Sequence, residues 1–364
     1  MRLLIATGIF PPDIGGPATY SKLLAEELVK RGHQVRLVCY SDRRFTDKLP
    51  FGVVRVLRSR FKIWHYLKYF IAVKKWGRDA DIIYAQDPVS AGWPAMVAAK
   101  IVKKPFIVKV TGDYSWEQAM GRGATDKLID EFQGLSAYPP GIGKIREVQI
   151  HVCKSANKII TPAVYLKNLV AGWGVPDGRI EVVANAVAVE ELLLSKAEVR
   201  AELGFAEKDF LVLSAGRPVK WKGFELLESV AIDLARQHPE IKLKILTAEP
   251  HNVLLKHLAA ADVFVLNTGY EGFPHVVWEA MTLGTAVITT SVCGNPEIIQ
   301  NKVNGLLVEF NHRKHLEQAI LTMYKYPDFR KQLAEQARQT VKNSTVELMI
   351  DKTERELKKL LPLG

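Results

Sequence analysis

Twice along its 364 residues this chain sets out a series of short, continuously apolar runs separated by stretches of helical spacing. That doubled alternation constrains the fold more than any other feature. The first series occupies residues 3–7, 35–39, 82–85, 106–110, 159–161 and 180–183, with a helix read over 18–31. After a polar helical stretch at 190–203 the second series runs through 210–214, 242–247, 263–266, 286–290 and 306–308, with about two helices beyond it. Runs rich in Ile and Val without polar alternation belong to strands covered on both faces. Strand–helix alternation gives a parallel, doubly wound sheet. The reading is therefore α/β: one domain over 1–188, a second over 189–345, and a C-terminal helix over 346–364. Open sheets of this kind bind ligands beyond the carboxyl ends of their strands.

The hydrophobic share is 48% and the charged share 24%, as in water-soluble domains. The apolar runs are strand-sized, too short to span a bilayer. The opening run 3–6 follows a single Arg2 and meets Pro11-Pro12 with no small-residue cleavage site, so it reads as a first strand and not a signal peptide. Cys39, Cys153 and Cys293 are far apart and form no disulfide framework or metal-binding pair, which fits a reducing cytoplasm. The net charge of +11 is lopsided: residues 1–190 hold 28 Lys and Arg against 17 Asp and Glu, whereas the remainder balances at 22 and 22. The first half is thus directed towards an anionic partner. No nucleic-acid-binding motif accompanies its charge, so a phospholipid surface or a lipid diphosphate is preferred. The segment 55–78 reads as a basic amphipathic helix: Arg58, Arg60, Lys62, Lys68, Lys74 and Lys75 interleave with Phe61, Trp64, Tyr66, Tyr69, Phe70 and Trp76.

Three strings carry candidate chemistry. Asp13-Ile14-Gly15-Gly16-Pro17 joins the first strand to the first helix, where Gly15 and Gly16 let backbone approach a phosphate at a helix N-terminus. Gly216-Arg217-Pro218-Val219-Lys220-Trp221-Lys222-Gly223 holds the matching place in the second series, and Arg217 and Lys222 supply the positive charge a departing diphosphate needs. Glu271-Gly272-Phe273-Pro274-His275-Val276-Val277-Trp278-Glu279 follows a buried strand; Glu271 falls in the loop and Glu279 about two turns into the next helix. Taken singly, these are also a tight turn, a solvated basic loop and two surface acids at a helix start. Other strings fail on context. Asp79-Ala80-Asp81 precedes a buried strand instead of lying in a metal loop, Gly141-Ile142-Gly143-Lys144 lacks P-loop spacing, and His312 with His315 has no further ligand pair.

In order and spacing the three strings resemble glycosyltransferase family 4. The resemblance runs over nearly the whole chain and is carried by PPDIGGPATYSKLLAEELVKRGHQV, GRPVKWKG, AAADVFVLNTGYEGFPHVVWEAMTLGTAVITT, GNPEII and NGLLV. It implies the GT-B architecture: two Rossmann-like, doubly wound domains facing across a cleft, with the C-terminal helix crossing back to the first. It further implies a retaining, metal-independent transfer from a UDP- or GDP-sugar, with no cofactor, to a glycolipid or polyprenyl-diphosphate-linked acceptor. The setting implied is cytoplasmic, peripherally at the inner membrane face. By the same resemblance Gly15, Gly16, Gly216, Gly272, Phe273, Pro274, His275 and Glu279 bind the donor. Arg217 and Lys222 hold its diphosphate, Glu271 meets the sugar, and Glu279 meets the ribose. Two departures are visible. Where many relatives carry a histidine, this chain reads Val110-Thr111-Gly112-Asp113, making Asp113 the substitute candidate for sugar or acceptor contact. The stretch near 248–258 has room for one helix, so the second domain is expected to lack one βα unit. The rivals are a nucleotide-sugar 2-epimerase and a degenerate, non-catalytic relative that binds lipid or a partner protein.

Overall fold

The computed structural model describes residues 1–361 apart from 14, 44, 187–193 and 343. The chain divides into two compact units, Met1–Ala184 with Glu347–Gly364, and Asn185–Val346. The boundary read at 188/189 lies outside the described residues, as do the first residues of the helix read over 190–203.

The first unit is built from β1 (Arg2–Thr7), α1 (Gly16–Lys30), β2 (Gln34–Ser41), β3 (Gly52–Leu57), α2 (Lys62–Gly77), β4 (Ile82–Ala85), α3 (Gly92–Val102), β5 (Phe106–Lys109), α4 (Tyr114–Gly121), α5 (Ile129–Gln133), α6 (Ile142–Ser155), β6 (Lys158–Thr161), α7 (Val164–Gly172) and β7 (Ile180–Val182). Its strands form one parallel sheet in the order β3-β2-β1-β4-β5-β6-β7. Strand β1 is central, with Leu3 registered between Val35 and Ile82. Leu3, Leu4, Ile5 and Ala6 are all buried, as a strand covered on both faces requires. Strand order reverses between β1 and β4, so the loops leaving those two strands flank the crevice where such sheets take ligands.

The helix read over 55–78 is corrected by this unit. Val53, Val54 and Val56 are β-branched and pair in parallel with Val38 and its neighbours, so 52–57 is a strand and the helix begins at Lys62. Two cations assigned to the helix are engaged elsewhere. Arg58 bonds Asp13 at 2.8 Å and Asp42 at 2.6 Å. Arg55 bonds Asp47 and the Pro11 carbonyl, each at 2.6 Å. Both arginines brace the loop that precedes α1.

The second unit comprises α8 (Lys196–Glu202), β8 (Phe210–Ala215), α9 (Phe224–Gln237), β9 (Ile241–Leu246), α10 (His251–Ala260), β10 (Val263–Leu266), α11 (His275–Thr282), β11 (Ala286–Thr290), β12 (Leu306–Val308), α12 (Arg313–Lys325) and α13 (Pro327–Lys342). The sheet is again parallel, in the order β12-β11-β10-β8-β9. Period-two geometry splits each strand between two cores. Val263 and Val265 pack with Leu227 and Leu234 of α9 and Ile320 of α12. Phe264 and Leu266 pack with Leu258 of α10 and Val277 and Met281 of α11. Strand β9 is an edge, with Lys242 and Lys244 exposed at alternate positions where charge discourages further pairing. Between β9 and β10 the chain holds α10 alone. The order reverses between β8 and β10, and two of the three candidate strings leave those strands.

Helix α14 (Val346–Lys358) completes the first unit. Met349, Ile350 and Leu357 are buried on it. Its polar seam centres on Glu354, which accepts from Arg31 at 2.8 Å, pairs with His33 at 2.9 Å and meets Lys358 at 2.5 Å. Burial works against the charge on Glu354, yet hydrogen bonds from Lys358, Arg31 and His33 outweigh it and hold the carboxyl at about 2, below its ordinary 4.5. A carboxylate depressed in the folded state gives stability that is complete above the ordinary value and is lost as pH falls through the depressed one. Docking of α14 is therefore expected to hold at pH 5 and to weaken between about 4.5 and about 2. Amide exchange of 347–358 against pH reads this directly, and Glu354→Gln should flatten the dependence. Among the described residues no helix is long and apolar enough to cross a membrane.

Candidate functional site

The loop after β8 is shaped by two glycines. Gly216 has φ +153° and Gly223 φ +54°, conformations that side chains rarely adopt. A Cβ on Gly223 would stand 2.6 Å from the Asn267 carbonyl oxygen and 2.7 Å from Asn311 Oδ1. This close approach lets the loop after β8 lie against the loop after β10. Asn267 Nδ2 donates to the Gly223 carbonyl at 3.0 Å, and the Trp221 carbonyl accepts from Gly269 N–H at 2.7 Å. The stem of Lys222 passes 3.6 Å from where a Gly216 Cβ would sit, and its Nζ pairs with Glu271. Gly216, Lys222 and Glu271, read as separate parts of one site, are thus brought together. Arg217 is exposed in the same loop.

Glu271 owes its position to a tied-down turn. Thr268 Oγ1 donates to the Tyr270 carbonyl at 2.9 Å, and the Glu271 carbonyl accepts from Gly294 N–H at 2.9 Å. A side chain on Gly294 would strike the Gly272 carbonyl at 2.5 Å. Gly272, Phe273 and Pro274 are buried, so this part of the string forms the wall under the loop. His275 opens α11 and sits 3.2 Å from Asn185 Nδ2.

Glu279, about one turn into α11 and not the two expected from the sequence, is 5% exposed. One oxygen meets His251 Nε2 at 2.8 Å; the other is buried with no hydrogen-bond partner. A buried carboxylate oxygen left unmatched costs stability unless a ligand hydroxyl or water completes it. His251, at the start of α10, reads in the sequence only as a discarded zinc candidate beside His257, with no role towards Glu279; its one local signal for that role is its place just past the end of β9, near the carboxyl edge of the sheet.

In the first unit Gly15 has φ +154° and caps α1, with Gly16 and Pro17 in its first turn. The Gly15 carbonyl accepts from the N–H groups of Ala18 and Thr19, while Ile14 lies outside the described residues. Asp113 departs from its expected role. It is fully buried, caps α4 by accepting from Trp116 N–H at 3.1 Å, and also accepts from Ser115 at 2.5 Å, Gln133 at 2.8 Å, Gln149 at 3.0 Å and Arg146 at 3.3 Å. A carboxylate with five donors around it frames α4, α5 and α6 and has little left to offer a sugar. Nearby, Lys109 is 1% exposed with its Nζ 3.5 Å from the Tyr20 ring centroid, and burial pushes its ammonium well below the ordinary lysine value. Nothing in the sequence distinguishes it from the surface lysines around it.

The discarded strings have plain structural accounts. Asp81 forms a two-atom clasp on Arg2, at 2.7 and 3.1 Å. Glu309, His312 and His315 do converge within 4.8 Å, but His312 Nδ1 is already the cap of α12, accepting from His315 N–H at 3.2 Å.

With this geometry in view, comparison with known proteins is informative. The family model of Glycosyltransferase Family 4 matches residues 14–191, and that of Glycosyl transferases group 1 matches 244–340. A Bacillus subtilis (strain 168) protein named for teichuronic acid biosynthesis, a glycosyltransferase, is 33% identical, with 90% of each chain covered. The N-acetylgalactosamine-N,N'-diacetylbacillosaminyl-diphospho-undecaprenol 4-alpha-N-acetylgalactosaminyltransferase of Campylobacter jejuni is 26% identical over 49% of this chain and 53% of its own. Among solved structures, Anabaena HepE in complex with UDP-glucose superposes with a TM-score of 0.76 over 99% of this chain and 100% of that one, at 16% identity. That likeness establishes the fold as the two-sheet GT-B type.

Proposed function

We propose a donor, an acceptor and a stereochemical course for this chain, which belongs to glycosyltransferase family 4. The donor is a UDP- or GDP-sugar seated at the carboxyl edge of the second unit's sheet. The observations that carry this are a cation, Lys222, held by the carboxylate of Glu271, and a buried oxygen of Glu279 that makes no hydrogen bond. The ribose of the nucleotide meets that oxygen. Its diphosphate takes Lys222 and Arg217, which neutralise the charge that grows on the leaving group as the sugar bond breaks. Glu271, released from Lys222, accepts from the sugar hydroxyls. The acceptor hydroxyl attacks the face the diphosphate leaves, through an oxocarbenium-like centre, and gives its proton to the departing phosphate oxygen, so the anomeric configuration is retained. The charge stabilisation comes from side chains, and no metal is required; transfer is expected to persist in EDTA.

The acceptor is a lipid-linked glycan at the cytoplasmic membrane face. Support comes from the basic first half and from the undecaprenol-linked substrate named for the Campylobacter relative. A calorimetric titration of UDP, GDP and their sugars tests the donor assignment. One nucleotide should bind saturably, and Arg217→Ala/Lys222→Ala should abolish it. Absence of binding by every nucleotide would leave the non-catalytic reading standing, and turnover of donor without acceptor would favour the epimerase.

His251 should behave as a positioning residue for Glu279. His251→Ala is expected to raise the donor KM about 3- to 10-fold, the scale of one lost hydrogen bond, with acceptor KM unchanged. Equal effects on both substrates would count against the assignment.

A further inference from the structure

Residues of α5, α6 and α7 in the first unit line a cavity of about 310 Å³, at the small end of ligand pockets. Leu169 and Trp173, both buried, give it an apolar floor beside Gly172. Asp130 from α5, Arg146 from α6 and Asn168 from α7 supply its polar groups. The floor is fixed from behind: Trp173 Nε1 donates to Gln133 at 3.0 Å, and Gln133 donates to the buried Asp113 at 2.8 Å. All three polar groups keep hydrogen-bonding capacity unused among the described residues. Tyr165 donates to one oxygen of Asp130, at 2.7 Å. Arg146 gives Nη1 to Asp113 at 3.3 Å and holds its guanidinium 4.8 Å from the Tyr138 ring centroid, which leaves its other N–H groups to spare. The Asn168 amide makes no hydrogen bond and is exposed. A Cβ on Gly172 would meet nothing within 4 Å, and its backbone lies outside the left-handed region. Neither conformation nor a neighbour asks for glycine there, where alanine is the better helix former; the bare backbone keeps the cavity open.

We propose that this cavity is a second glycan site, separate from the site of transfer, which holds one uncharged sugar ring of the acceptor chain. A sugar ring sets C–H groups against an apolar floor and hydroxyls against the groups around it. Adjacent hydroxyls are satisfied by a carboxylate that accepts and a guanidinium or amide that donates. The lining carries one acid and one base, and the base is shared with Asp113, so a phosphate or a sugar acid finds no surplus cation. A hydrocarbon would desolvate Asp130 and Arg146 without replacing their bonds to water. Asp113 touches both Gln133 and Arg146, so the cavity adjoins the loop that leaves β5 at the carboxyl edge of the sheet, where such sheets take ligands. A growing glycan can thus be held at a sugar other than the one that reacts. The inference rests on the proposal that the first unit receives a glycan, but not on the choice of donor.

The test uses the full chain in saturation-transfer NMR and calorimetry. The probes are the methyl glycosides of glucose, galactose, N-acetylglucosamine and glucuronic acid, and inorganic phosphate; UDP and GDP are titrated in parallel. One or more of the three neutral glycosides should bind saturably, and more tightly than the glucuronoside or phosphate. Gly172→Leu, which fills the cavity from a position with open space around it, should abolish that binding. Asn168→Ala should weaken it about 3- to 10-fold and Asp130→Ala about tenfold or more, the scales of a neutral and a charged hydrogen bond. All three positions are exposed, so melting temperature and nucleotide binding should be kept; were Gly172→Leu to lower the melting temperature, the two alanine variants decide. Glycoside binding that survives all three changes would place the sugar elsewhere and overturn the site. Preferred binding of glucuronoside or phosphate, lost in Gly172→Leu, would overturn the uncharged class. No glycoside binding beside intact UDP or GDP binding would remove the cavity and leave the donor assignment standing. Glycoside binding that follows the variants, with no nucleotide bound, would keep the cavity and remove the donor assignment.

Discussion

Replacing Glu271 by alanine is expected to lower sugar transfer by about 10²- to 10³-fold, the scale of losing one group that acts on the reacting centre. The same change should leave nucleotide binding intact or improve it. In the free protein Glu271 is the partner of Lys222, so a diphosphate must displace a carboxylate to reach that cation. With the carboxylate gone, UDP or GDP meets Lys222 directly, and its Kd should fall about 3- to 10-fold, the scale of one weakened charge contact. Glu271→Gln keeps a hydrogen-bonding group without the charge and should fall between wild type and alanine in both measurements. Parallel loss of nucleotide affinity and turnover in Glu271→Ala would defeat the exchange of partners, and unimpaired turnover would defeat the sugar-contact assignment altogether.

Gly223→Ala should be the most destabilising single-methyl change in the second unit. The left-handed backbone costs about 1–2 kcal/mol with a side chain present. The Cβ would also press on the Asn267 carbonyl, a backbone atom that cannot swing aside, and on Asn311. Overpacking of that kind adds about 1–3 kcal/mol, for a total of about 3 kcal/mol by urea unfolding. A loss within about 0.5 kcal/mol would mean that the two loops separate easily. Since Lys222 is the preceding residue, donor affinity should drop together with stability.

The parts of this site that were legible in the sequence are those encoded locally. The strand at 210–214, the glycines after it and the helix behind them announce themselves by period and composition, because each is fixed by neighbours within a few positions. Strand β3 was hidden: Arg55 and Arg58 look like membrane cations until Asp47, Asp42 and Asp13 are placed beside them. Asp113 shows the same limit from the other side. The end of a strand is where ligands bind and where helix caps sit, and only Gln133 and Gln149, arriving from α5 and α6, decide between the two. The pairing of Lys222 with Glu271 depends on β8 and β10 being neighbours in the sheet, which no pattern within either strand records. His251 reaches Glu279 across 28 positions of sequence by way of two helices.

Because α14 belongs with the first unit, the order of synthesis and the order of assembly disagree. A ribosome delivers all of the second unit before the helix that buries Met349, Ile350 and Leu357 against the first. At about 5–20 residues per second, residues 185–346 take about 10 to 30 s to appear. For that interval the nascent first unit presents an uncovered apolar strip and an Arg31 that lacks both Asp351 and Glu354. The second unit, a continuous stretch of chain, can finish folding as it emerges. The first cannot close until translation has passed it by.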